Sequence, residues 1–252
     1  IVFGNSITKG GAGTLILTGN NSYTGNIYNN GGTVQGNTAS LRGDIVFDAN
    51  PDNTTARSVV FDQGTDGVFE GQITGLGSLT KTGAATLVLT RINSYSLGTT
   101  VSAGTLQGSA ASLQGNILNN AAVVFDQDTT GTYAGVMSGT GTLDKNGTGK
   151  LSVASDQAYT GETNINAGEF NTNATFQSSI VNVNQGGTLS GNGTFNAIND
   201  NGGTITPGNS SSRRTAASGR RPTMAKRASG RRARTMGIVS RAKRTTASTL
   251  GR

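Results

Sequence analysis

Three groups of side chains in this sequence stand at spacings that could do chemistry. The stretch "DQDTTG" (126–131) sets Asp126, Asp128 and Gly131 at the first, third and sixth positions of a loop that wraps calcium in carboxylate and carbonyl oxygens. Its twelfth position, where such a loop needs a bidentate Glu, is Met137, and the fifth is Thr130. The related "DQGTDG" (62–67) keeps only Asp62 and Asp66. These acids read as solvated turn formers, and no metal site is expected. Asp48, Asp62 and Asp126 suggest the carboxylates of a sugar hydrolase, whose acid and base must stand close together on neighbouring strands. They recur in equivalent settings, as a structural role predicts, and Glu70 and Glu162 show no evident partner. No catalytic residue is expected.

The second group is Lys9, Lys81 and Lys145; the third is Tyr23, Tyr95 and Tyr159. Lysines among glycines suggest a phosphate loop, but the alternation at Gly139, Gly141 and Gly147 lacks the Gly-Lys-Ser/Thr ending. Because the lysines recur with a repeat, they are expected in solvent. The tyrosines are too far apart to form a sugar-stacking ladder and are expected to cap corners with their rings against a core. The chain has no Cys and no His, which removes disulfides, thiolate nucleophiles, imidazole bases and the usual zinc and copper ligands. No cofactor is expected.

A repeat positions these residues. Residues 58–108 realign without a gap on 122–172, 64 residues on, so that Phe61, Lys81, Leu87 and Tyr95 fall on Phe125, Lys145, Leu151 and Tyr159. An earlier copy lies 72 residues upstream of the first, with Lys9, Leu15, Tyr23 and Leu41 falling on Lys81, Leu87, Tyr95 and Leu113. The turn-rich "DANPDNTTARS" (48–58) holds the extra eight residues. Apolar residues alternate in short runs such as "TLILTG" (14–19), "TLVLT" (86–90) and "KLSVA" (150–154), bounded by Gly and Asn. Period two over four to six residues is the signature of a half-buried strand, and no helical period competes with it. The chain is therefore all-β.

A long repeat without hairpin turns predicts a solenoid of about three coils per repeat, each of roughly 20 residues, and a rod of about ten coils and roughly 50 Å. Leu15/Leu17, Leu87/Leu89 and Leu151/Val153 should line its interior. A β-propeller is the competing repeat fold, but its antiparallel blades usually carry more aromatic residues.

The segment "GAGTLILTGNNSYTGNIYNNGGTVQGN" (11–37) resembles the passenger-associated transport repeat of bacterial autotransporters, the type V secretion proteins. The pattern Lys-x-Gly-x-Gly-x-Leu-x-Leu, Asn-x-Tyr-x-Gly and Gly-Thr-Leu is followed by Lys81, Gly83, Leu87, Leu89, Asn93, Tyr95, Gly98, Gly104, Thr105 and Leu106. It recurs in Lys145, Gly147, Gly149, Leu151, Tyr159, Gly161 and Gly168. The resemblance implies a right-handed parallel β-helix displayed on, or released from, a Gram-negative cell surface. It further implies a monomeric, non-enzymatic stem that supports secretion, folding and display, with a host-surface or extracellular-matrix ligand as partner. Attachment to the outer membrane would come only through a barrel, and neither a barrel nor a signal peptide is recognised here. A β-helix enzyme acting on polysaccharide is the alternative. Clustered charges on adjacent coils would favour the enzyme, and ladders of Thr, Asn and Ser the stem.

Charge divides the chain. Residues 1–212 carry seven basic and thirteen acidic residues, whereas 213–252 carry thirteen basic residues and no acid, so the overall +7 belongs to the second part alone. Residues 1–212 form the repeat-built unit. Residues 213–252 read as a disordered, low-complexity tail that would bind polyanions non-specifically, without the aromatics that base-selective binding needs. No specific nucleic acid is expected. Arg, Ala, Ser, Gly, Thr and Pro are also what GC-rich DNA yields when read out of frame, and a frameshift near residue 211 is favoured over an evolved arm. Translating the gene in the other two frames from codon 211 should restore Gly-Thr-Leu strands and a barrel; two frames without either would refute the frameshift.

Overall fold

Alternation builds the strands. In Ser78–Thr82, Leu79 and Lys81 share one face while Ser78, Thr80 and Thr82 share the other, and only the first face is buried. A computed structural model describes residues 6–48 and 55–208, with the side chains of 177 and 178 left aside. Among these residues there are twenty-six strands and no helix. The strands form four sheets, and the pairings within each sheet are parallel.

The first sheet stacks Ile7–Lys9, Ile27–Asn29, Ile45–Phe47, Ile73–Gly75 and Ser94–Tyr95. The second begins with Thr14–Ile16, Gly32–Gly36, Arg57–Asp62 and Ser78–Thr82, and continues through Thr99–Val101, Ile117–Asn119, Met137–Gly139 and Ala158–Tyr159. The third begins at Gly67–Phe69, passes through Thr86–Leu89, Thr105–Gly108, Ala122–Asp126, Thr142–Asn146 and Thr163–Ile165, and ends with Thr175–Asn184 and Thr194–Asn201. The fourth holds Gly131–Tyr133, Lys150–Val153, Gly168–Thr172, Gly187–Gly191 and Thr204–Pro207.

Successive strands pass from the first sheet to the second and third, and later from the second to the third and fourth. Between the first and fourth sheets lies the turn at Ser109–Leu113. Its Ala111 carbonyl accepts from Asn93 N beside the first sheet, and its Ala110 methyl lies against Gly131 of the fourth. The fourth sheet thus continues the side that the first one opened. The result is a three-sided parallel β-solenoid of about ten coils, in agreement with the architecture expected from the repeat.

The interior is filled by rows in register. Val34, Val59, Leu79, Thr99, Ile117 and Met137 stack behind the second sheet. Leu87, Leu106, Val123, Leu143, Thr163 and Val181 stack behind the third. Each fully buried aliphatic side chain contributes about 1.5–3 kcal/mol, and none could do so without the coils above and below. Where the strand rhythm lapses at 37–41 and 109–113, a single turn plugs the gap. Asn37 Oδ1 accepts from the amides of Ala39 and Ser40, Ser40 Oγ accepts from Asn37 N, and Leu41 drops into the core. Ser109, Ser112 and Leu113 repeat this arrangement.

The sequence repeat and the coils do not keep step. Three turns from Lys81 lead through Val101 and Asn119 to Gly139, and Lys145 stands six residues further on, in the third sheet instead of the second. Lys9 lies in the first sheet. Each copy therefore spans three coils and one additional side, which sharpens the expectation of about three coils per repeat. Most of the "DANPDNTTARS" insertion lies outside the described residues, as does the basic stretch 213–252.

Two equivalent aromatic pairs sit in the core: Phe61 on Phe69, with centroids 4.9 Å apart, and Phe125 on Tyr133 at 5.2 Å. They differ by one atom, the Tyr133 hydroxyl, which is buried without a hydrogen-bond partner among the described residues. An unpaired buried hydroxyl costs about 1–3 kcal/mol. Tyr133→Phe should therefore raise stability by about 1 kcal/mol or more and lift Tm by a few degrees in thermal unfolding.

Candidate functional site

The side chains picked out in the sequence converge on the corners of the solenoid. Lys81 lies on the inward face of its strand, between Phe61 of the coil before and Val101 of the coil after, and is wholly buried. Its Nζ donates to Thr82 O at 2.7 Å, Gly83 O at 2.8 Å and Ala103 O at 3.1 Å. Lys145, equally buried, donates to the carbonyls of Asn146, Gly147 and Ala167, and Lys9 to those of Gly10, Gly11 and Gly31. Three donors on one nitrogen are an ammonium's full complement. The expectation of solvated lysines is thus overturned. The parity that places Leu79 inside places Lys81 inside as well, and the turning backbone supplies oxygens to receive the charge.

Each lysine joins two coils, since its third carbonyl belongs to the corner one turn later. The residue after that carbonyl is Gly32, Gly104 or Gly168, each at positive φ. A Cβ on Gly104 would lie 2.5 Å from the carbonyl oxygens of Gly83 and Ala85, so a side chain there would push the two corners apart. Burial lowers the pKa of Lys81 and Lys145 from lysine's ordinary value, and nearby Asp62 and Asp66, or Asp126 and Asp128, pull it back up.

The three tyrosines are also buried. Tyr95 Oη lies 2.6 Å from Thr99 Oγ1, Tyr159 pairs with Thr163, and Tyr23 Oη accepts from Arg42 N at 2.7 Å. Burial raises the phenol pKa of Tyr23, and that of Tyr95 to about 12. None offers an exposed ring to a ligand. Leu87, Leu89, Leu151 and Val153 are core residues, Leu17 lies at the core's edge, and Leu15 is partly buried against it.

Sequence reasoning overlooked a set of buried amides. Gln127 Oε1 accepts from Ala110 N at 2.8 Å, and its Nε2 donates to Thr129 O and Lys150 O. Gln63 binds Thr38 N in the same manner. Asn93 and Gln157, at equivalent repeat positions, receive the amides of Ile73 and Met137. All stand where the ladder breaks at a corner, and strand parity with Phe61 and Phe125 pointed Gln63 and Gln127 inward.

The acids serve neighbouring coils. Asp128 Oδ1 accepts from Thr148 N and Oγ1, both at 3.0 Å, and Asp66 accepts from Thr86 N at 2.7 Å; these bonds lower both pKa values. Asp62 receives Thr82 Oγ1 and Asp126 receives Gln107 Nε2. Asp48 faces Arg57 at 3.5 Å; Asn120 occupies its place one copy on, so it does not share the setting of Asp62 and Asp126. Among the described residues no three acidic side chains are grouped to hold a metal.

The lysine corner makes a measurable claim. Lys145→Met keeps the apolar stem but leaves three buried carbonyls without a donor, and should cost about 2–4 kcal/mol in chemical denaturation. Lys150→Met, at a half-exposed lysine paired with Glu169 at 3.1 Å, should cost less than about 1 kcal/mol.

The passenger-associated transport repeat family matches residues 7–35, 79–107 and 143–171. Each match runs from the strand carrying the lysine to the one opened by the glycine packed on its corner. The adhesin BmaC autotransporter of Brucella suis biovar 1 (strain 1330) is 39% identical over 175 residues, covering 58% of this chain. The chain spans only 5% of that protein's length. No solved structure matches the chain. The chain thus winds three passenger-associated transport repeats into one parallel solenoid and is similar, over part of its length, to an adhesin autotransporter.

Proposed function

We propose that the solenoid is a stem segment of an adhesin-type surface protein, which folds coil by coil during export and holds other regions away from the membrane. The observation that carries this reading is the lysine corner. Its first two carbonyls lie in the same turn as the lysine, and its third arrives only with the next coil. Each coil added to a growing edge is closed onto its neighbour in this way, so that folding propagates from coil to coil. Because successive copies advance by one side, the corners secure all three sides in turn. The repeat residues, lysines and tyrosines included, are structural in this reading, and a host-surface or matrix ligand is the partner.

A non-enzymatic role is supported by the engagement of the acids at Asp62, Asp66, Asp126 and Asp128 in bonds between coils. The name adhesin, carried by the relative, points the same way. The test is display of the full chain through a fused autotransporter barrel, with surface passenger measured by protease shaving. Wild type should give a protease-resistant surface fragment and release no reducing ends from polysaccharides. The double variant Lys81→Met/Lys145→Met should reach the surface several-fold less. Unchanged display of the variant would refute the folding role, and sugar release by wild type would refute the non-enzymatic reading.

A further inference from the structure

In the last four coils of the third sheet the residues on either side of the strand's middle position point outward: Asp144 and Asn146, Asn164 and Asn166, Asn182 and Asn184, and Asn199 and Asn201. Parallel register stacks these into two rows. In one, Asn164 Nδ2 donates to Asp144 Oδ1 at 2.7 Å, Asn182 to Asn164 at 2.8 Å and Asn199 to Asn182 at 2.8 Å. In the other, Asn166 donates to Asn146 at 2.9 Å, Asn184 to Asn166 at 2.7 Å and Asn201 to Asn184 at 2.9 Å. The rows lie about 6.8 Å apart and step by about 4.8 Å per coil. Earlier coils of the same outward row carry Val68, Val88, Gln107 and Val124, so the paired asparagine ladder is confined to these four.

An amide holds two N–H donors and two lone pairs on its oxygen. The ladder uses one of each on an interior residue, leaving one donor and one acceptor on the outward side; Asn182 gives its second N–H to Glu162 Oε2 at 3.1 Å. The charges in and beside the rows are acidic: Asp126, Asp144, Glu162 and the exposed Asp200 between Asn199 and Asn201. The rows contain no basic and no aromatic side chain.

We propose that this array is a docking surface for a neutral, linear polysaccharide lying along the solenoid axis. The partner must offer hydrogen-bonding groups coil after coil on two parallel lines, meeting free acceptors along both and free donors at Asn164, Asn166 and Asn184, and carry no negative charge toward the bordering acids. An extended pyranose chain presents hydroxyls along both edges of a ribbon and advances by close to one ring per coil. A nucleic acid or anionic glycan would need cations here, and an added peptide strand would need a sheet edge instead of a face. Each bond replaces one made to water, so binding is weak per coil and grows with the number of coils engaged. The surface is independent of the stem reading: a stem with inert faces would pass the display test and fail this one.

The experiment measures retention of the full chain on cellulose, chitin and mannan, with heparin as the anionic comparison, at low salt and at about 1 M NaCl, where exposed charges are screened. The variant Asn164→Thr/Asn166→Thr/Asn182→Thr/Asn184→Thr keeps strand-forming residues and small hydroxyls in both rows; Asn164→Asp alone changes charge with little change of shape. Thr80→Ala/Thr100→Ala on the second sheet is the control, and thermal unfolding checks that each variant is folded. Wild type should be retained on a neutral polysaccharide irrespective of salt, the control should match it, and each amide variant should bind at least about tenfold more weakly. Absence of retention on all three neutral polymers would overturn the proposal, as would equal retention of the folded amide variants. Retention on heparin alone that salt abolishes would assign binding to the basic stretch 213–252 and overturn it too. Self-association through these rows in place of sugar binding would overturn it likewise.

Discussion

A backbone that turns a corner every few residues exposes carbonyls that no strand can satisfy, and a narrow solenoid must find donors for them inside its own core. Here the buried ammoniums of Lys9, Lys81 and Lys145 meet three such carbonyls each. A buried charge is costly alone, but one whose every N–H is received by a fixed carbonyl is compensated where the structure most needs a donor. The glycines of the transport repeat follow from the same requirement, because Gly32, Gly104 and Gly168 let the next corner settle onto the first. The repeat motif is the two halves of one joint.

Around this joint the remaining polar groups form a consistent accounting. Gln63, Gln127, Asn93 and Gln157 complete the ladder from within, while Asp66 and Asp128 complete it from outside. Their carboxylates hold backbone amides of the next coil, leaving the side chains that first suggested calcium or hydrolysis with structural partners. The outward rows are then free to differ from coil to coil, as the change from Val124 to the amide rows shows.

Much of the fold was legible beforehand. Alternation in "TLVLT" and "KLSVA" gave strands, the gap-free repeat gave a solenoid, and Leu87, Leu89, Leu151 and Val153 were recognisable as core. The lysines were misplaced because their recurrence with the repeat was taken to mean solvent and strand parity was passed over, although "SLTKT" aligns Lys81 with Leu79 as plainly as any apolar pair. Pairs such as Asn164 and Asn182 were invisible as ladders because they are eighteen residues apart, and only the coil length makes them neighbours.

By itself the sequence determined the local alternation, the glycine-permitted corners and the identity of the repeat, since these depend on residues a few positions apart. The tertiary structure alone decided which residues a coil brings together. Three turns from Lys81 end at Gly139 and not at Lys145, so equivalent lysines secure successive sides instead of stacking on one. That outcome depends on the number of residues per turn, set jointly by strand lengths and corner turns over whole coils. No local stretch of sequence states it.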